Sequence, residues 1–153
     1  MMFKSISKNA LTLLAILSFG LASAANAAEI KTDKAFADKK IVLQISDNNP
    51  FKQTLVLNVA SNLIKAYGTD KVDIEIVAFG PGLRLLFAEN GNKGRIQGLS
   101  SEGVRFAACK NTMRNMGKKL GHAPALNSNA VTVDAGVVRI LDLTDAGYTL
   151  IKP

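Results

Sequence analysis

Apolar and polar positions change their spacing several times along this chain, and each change marks an element. Lys40–Ser46 (KIVLQIS) reads as a first strand, and its uninterrupted Ile41-Val42-Leu43 run predicts burial on both faces, as in a parallel sheet. Asn49-Pro50 opens a helix, with Asn49 as N-cap and Pro50 in the first turn. Leu55, Val56, Val59, Leu63 and Ile64 recur at helical spacing as its inward stripe, and Gly68 stops it. Asp73–Phe79 (DIEIVAF) is a second strand, followed by a Gly80-Pro81-Gly82 turn. A short helix over Leu83–Glu89 then turns Leu83, Leu86 and Phe87 inward, and Asn90–Arg95 is a loop.

A brief helical turn runs to Glu102 and ends at Gly103, and Val104–Ala108 is a third strand ending at Cys109. Asn111–Leu120 is a helix with Met113, Met116 and Leu120 on one face. Gly121–Asn129 is a loop, and Val131–Val133 is a further possible strand. A last helix from about Ala135 to Ala146 carries Val137, Val138 and Leu141 as its apolar edge. Gly147 caps it, and Tyr148–Lys152 is a closing strand. Strands alternating with helices predict an α/β fold: a mostly parallel sheet in a three-layer sandwich, joined by right-handed crossovers. Ligands of such sheets lie at the carboxyl ends of the strands. The loops in question are Ser46–Asn49, Gly80–Gly82 and Cys109–Thr112.

The segment before the first strand follows a different rule. Lys4 and Lys8 precede an uncharged 13-residue apolar run, Ala10–Ala22, and Ala25-Asn26-Ala27 fits a small-residue cleavage site. That run falls short of the roughly 20 residues that span a bilayer, so a cleavable secretory signal over residues 1–27 is expected rather than an anchor. Cleavage after Ala27 leaves 126 of the 153 residues: a polar extended leader over 28–39 and one domain over 40–153. The expected location is the periplasm, with no stable membrane insertion after cleavage.

Removing Lys4 and Lys8 leaves 17 basic residues against 12 acidic, a formal charge of +5. Such a surface aids solubility and attracts small oxyanions or an anionic envelope. Nucleic acid is not an expected partner, since no basic run is interleaved with aromatics and there is no Trp. Cys109 is the one cysteine, so no intrachain disulfide forms. It lies between a strand and a helix start, where unpaired N–H groups and the helix dipole favour a thiolate, and Lys110 and Arg114 add positive charge nearby. Following Phe106-Ala107-Ala108, it also suits a buried, inert core position. Both readings stand at this point.

Other candidates are weaker. The Gly80-Pro81-Gly82 turn lets backbone amides approach an anion but lacks the lysine and hydroxyl of a phosphate loop. Arg84 can reach the same crevice or point to solvent. His122 is the single histidine, which argues against a metal site, and no metal or other cofactor is expected. Met113 and Met116 read as core residues.

From Val77 onward the chain resembles the DsrE/DsrF-like family, including its exported single-domain branch and the YchN-like proteins. The segments that carry the resemblance are VAFGPGLRLL (Val77–Leu86), GVRFAACKNTM (Gly103–Met113) and GVVRILDLTDAGYTLIKP (Gly136–Pro153). The resemblance implies a three-layer, flavodoxin-like sandwich assembled as a homo-oligomer, a trimer or hexamer. It also implies a sulfur-relay role in which Cys109, in Cys109-Lys110-Asn111-Thr112, holds a persulfide. Relatives often have His where Phe79 stands, so no neighbouring acid or base is carried over. The expectation is a periplasmic sulfur-handling protein that exchanges sulfur with a donor or acceptor protein. Cys109 would be the reactive thiol, Asn111 and Thr112 would supply polar groups at the helix start, and Gly80, Gly82 and Arg84 would form the pocket. The alternative is a non-catalytic oligomeric module that binds a small anion or partner protein, with Cys109 buried.

Overall fold

The computed structural model describes residues 34–153; the expected signal over 1–27 and the first part of the leader lie outside the described residues. Five strands form one all-parallel sheet: β1 (Lys39–Ile45), β2 (Val72–Ala78), β3 (Arg105–Cys109), β4 (Ala130–Val133) and β5 (Thr149–Ile151). Their order is β4-β3-β2-β1-β5, so the chain steps outward from β1 to β4 and then returns past β1 to place β5. The possible strand at Val131–Val133 is therefore real. Between the strands lie α1 (Pro50–Tyr67), a 3-10 helix η1 (Gly80–Leu86), α2 (Lys93–Ser101), α3 (Lys110–Leu120) and α4 (Gly136–Asp145).

Right-handed crossovers put helices on opposite faces when the direction of stepping reverses. Ile41, Leu43 and Ile45 of β1 and Ile74 and Ile76 of β2 share a core with α1, η1 and α2, against which Met113 and Met116 of α3 pack. Val42, Val77 and Ala107 face the other way, under Ile140 and Leu143 of α4. The result is a three-layer α/β sandwich, with several helices on one face and α4 on the other. Among the described residues no helix is long and apolar enough to cross a membrane.

Several inward faces differ from the sequence pattern. On α1 the buried residues are Gln53, Val56, Leu57, Ala60 and Ile64, whereas Leu55 is 43% exposed. Gln53 lies on the core side, where its Oε1 accepts from the Asn90 side chain at 3.1 Å, and the buried arc leaves Leu55 outside it. On α4 the expected apolar edge points outward: Val137, Val138 and Leu141 are 56%, 54% and 57% exposed. Arg139 is buried in their place, at 7% exposure, because Glu75 waits on the sheet beneath it. Arg139 donates to both Glu75 carboxylate oxygens, at 2.6 and 2.8 Å. Leu120, expected inward, is exposed at the last turn of α3. The helix expected at Leu83–Glu89 is the 3-10 turn of η1, which starts at Gly80 itself, and α2 begins inside the expected Asn90–Arg95 loop.

The Glu75–Arg139 pair belongs to a larger network on the α4 face. Arg105 bridges Asp73 at 2.5 Å and Glu75 at 3.0 Å, and Tyr148 donates its hydroxyl to Asp73 at 2.5 Å while accepting from Arg105 at 3.0 Å. Two carboxylates and two guanidiniums balance, and among the described residues no buried side-chain polar atom lacks a partner. Burial on this scale is tolerated only with such pairing.

Candidate functional site

Cys109 ends β3 and serves as the residue before the first turn of α3, with extended backbone angles. Alternation along β3 sets it on the same face as Ala107, toward α4. It is 5% exposed. Both α3 and α4 begin beside it, because β3 and β4 are neighbours and each runs into its helix at the same end of the sheet. Burial pushes the thiol's pKa up. The hydroxyl of Thr112 and the backbone N–H groups of Gly136, Thr112 and Asn111 act more strongly in the other direction, and the net shift is downward. Cys109 closes no side-chain cap bond of its own, so these donors serve the charged form of the sulfur.

The surrounding backbone is packed to make that approach possible. A Cβ on Gly136 would come 2.9 Å from Cβ of Phe79, so glycine lets the start of α4 settle against the end of β2. Thr112 Oγ1 accepts from the Gly80 N–H at 2.9 Å, leaving its own proton for the sulfur. Lys110 is drawn outward to Asp134 at 2.9 Å, which holds that exposed carboxyl below its ordinary range, and Arg114 donates to the Asn111 side chain.

Next to Thr112 opens a cleft of about 330 Å³. Gly80, Pro81 and Arg84 line it from η1, and Asn48 closes it from the loop after β1. Asn115, Met116 and Lys119 complete it from α3. Of the expected ligand-binding residues, Gly80, Arg84 and Thr112 therefore meet in one cleft. Asn111 contributes its backbone to the thiol environment rather than its side chain to the cleft. Gly82 plays a different part. It is buried, and a Cβ there would lie 2.4 Å from the Ile45 carbonyl oxygen, so it lets η1 pass against the backbone of β1. Asn48 lies in the candidate loop Ser46–Asn49, whereas sequence reasoning missed Gly136, Asn115 and Lys119. The helical spacing of Thr112, Asn115, Met116 and Lys119 was the available signal for the cleft residues on α3. His122 is exposed on its loop and contacts the Ala123 carbonyl. A second cleft, about 640 Å³, lies near the start of α2 beside Asn127–Asn129 and has no part in the thiol environment.

The chain is similar in structure to MTH1491, a protein of unknown function from Methanobacterium thermoautotrophicum. The two share 28% identity at a TM-score of 0.69, over 76% of this chain and 100% of that one. No protein-family model and no curated protein matches the chain. The likeness supports the five-strand parallel sandwich and carries no activity with it.

Proposed function

We propose that this chain is an exported, DsrE/DsrF-like sulfur-handling protein in which Cys109 accepts and donates sulfane sulfur. The observation that carries this reading is the convergence of the starts of α3 and α4 on the Cys109 sulfur, with Thr112 and three backbone N–H groups favouring its thiolate. In the step proposed, the thiolate attacks the outer sulfur of a donor persulfide, R–S–SH. The donor's S–S bond breaks, its thiolate leaves with the bonding pair, and Cys109 keeps the –SH as a persulfide. No net oxidation occurs and no cofactor is required.

Assembly as a trimer or hexamer in the periplasm is part of the same proposal. Its support is the outward apolar edge of α4, which lies on the more thinly covered sheet face. The test is intact mass of the mature protein after exposure to a low-molecular-weight persulfide. A gain of about 32 Da, one sulfur atom, is expected on the native protein and not on Cys109→Ser. No gain on the native protein overturns the reading.

The 5% exposure of Cys109 favours a second reading, an oligomeric binding module for a small anion or partner protein with the thiol as a core residue. Alkylation that requires denaturation would select it.

A further inference from the structure

The cleft between η1 and α3 has a chemistry separate from the thiol. Its two charged residues, Arg84 and Lys119, are both cationic, and no carboxylate lines it. Three nearby cations are engaged: Lys110 with Asp134, Lys52 with Asp47, and Arg114 with Asn111. Among the described residues, Arg84 and Lys119 form no ion pair. Arg84 instead lies over the Phe87 ring, at 5.9 Å from its centroid. Two like charges sharing one concave surface repel, and an anion between them removes that repulsion. Asn48 and Asn115 bring amide donors to the same walls. The position, at the carboxyl ends of β1, β2 and β3, is where parallel sheets bind ligands.

We propose that this cleft binds a small tetrahedral oxyanion carrying two negative charges. Arg84 and Lys119 supply the charge, and Asn48 and Asn115 hydrogen-bond the oxygens. The volume of about 330 Å³ holds such an ion with part of its hydration shell. An inert sulfate or phosphate and a sulfur-bearing thiosulfate share this chemistry. Only for thiosulfate does the inference rest on the Cys109 reading. Cys109 does not itself line the cleft, but Thr112, which does, hydrogen-bonds its sulfur. A thiosulfate passing from the cleft to the thiolate is attacked at its outer sulfur, the S–S bond breaks, and sulfite leaves with the bonding pair while the persulfide anion stays on Cys109.

The test is calorimetric titration of the mature protein with sulfate, phosphate or thiosulfate at constant ionic strength set with chloride. Saturable binding of one ion per chain is expected, weakened about ten-fold or more in Arg84→Gln/Lys119→Gln. Lys118→Gln, a neighbouring exposed charge outside the cleft, should leave binding unchanged. Absence of saturable binding above chloride, or equal loss in Lys118→Gln, overturns the site. Mass spectrometry of the thiosulfate sample separates the sources. Binding with a gain of about 32 Da marks a sulfur donor, and binding without it marks an inert oxyanion, the site standing in either case. Failure of the persulfide test on Cys109 leaves the titration unaffected.

Discussion

The N–H of Gly80 donates to the Thr112 hydroxyl at 2.9 Å, tying the start of η1 to the first turn of α3 across the ends of β2 and β3. A hydroxyl has one proton, so a Thr112 that accepts from Gly80 can direct that proton only once. Directed at Cys109, it favours the thiolate.

Thr112→Val should therefore raise the midpoint of the pH–rate profile for Cys109 alkylation, toward the ~8.5 of a free thiol. Thr112→Ser should hold it near the native value. The sign follows from a folded-state pKa that is lowered. Stability from the thiolate is present above the unfolded pKa and lost as pH falls through the folded one. A native profile no lower than that of the unfolded chain would remove Thr112 from this role.

Gly82→Ala should destabilise the fold by about 1–3 kcal/mol, because its Cβ meets the main chain of Ile45 and Ser46 rather than a movable side chain. Denaturant titration reads this directly. Anion binding in the refolded variant should be retained, since Gly82 does not line the cleft.

Glu75→Ala leaves the buried Arg139 guanidinium without its bidentate partner. A loss of about 3–5 kcal/mol is expected. In a double-mutant cycle, Glu75→Gln with Arg139→Gln should cost about 0.5–3 kcal/mol less than the sum of the singles. Additive losses would show that the pair is not coupled.

Tyr148 should ionise late. Burial and its bond to Asp73 push its pKa up to about 12. A phenol with a raised folded-state pKa contributes stability that is complete below its unfolded value and disappears as pH rises through the folded one. Phenolate absorbance against pH should show one tyrosine near that value in the native protein, absent in Tyr148→Phe. Coincident ionisation of Tyr148 with that of the denatured chain would count against the network.

If the proposed assembly forms through the exposed apolar edge of α4, light scattering should show the native protein as a multiple of the single-chain mass, and Val138→Asp with Leu141→Asp should bring it down to one chain while the far-ultraviolet dichroism is preserved. A native particle with the mass of one chain would overturn the assembly, and an oligomer whose mass the substitutions leave unchanged would overturn the role of α4.

The alternation of strands and helices made the sandwich legible, and Cys109, Gly80, Arg84 and Thr112 were legible as strand-end residues. What stayed hidden has a common physical origin. Periodicity ranks residues by hydrophobicity, so it turned Val137, Val138 and Leu141 inward and Arg139 outward. The actual orientation was decided by Glu75, 64 residues away in the chain. Asp73 and Glu75 sit two apart in an otherwise apolar strand, and that spacing marked a charged stripe on one sheet face. Its partner Arg105 became visible only with the β2–β3 register, and Tyr148 only with the return of the chain to β5 beside β1. Likewise, Gly82 read as a ligand turn because a sequence does not show which backbone it must pass.

The three-residue strand β5 pairs with Ile41, Val42 and Leu43 of β1. All three are buried. Were that short strand trimmed away, β1 would become the rim of the sheet, offering a row of unpaired amides and carbonyls flanked by aliphatic side chains. Such rims recruit other chains into shared sheets. β5 thus covers the edge of β1 against strand-mediated self-association, and deletion of Thr149–Ile151 should show first as turbidity rather than as lost helix content.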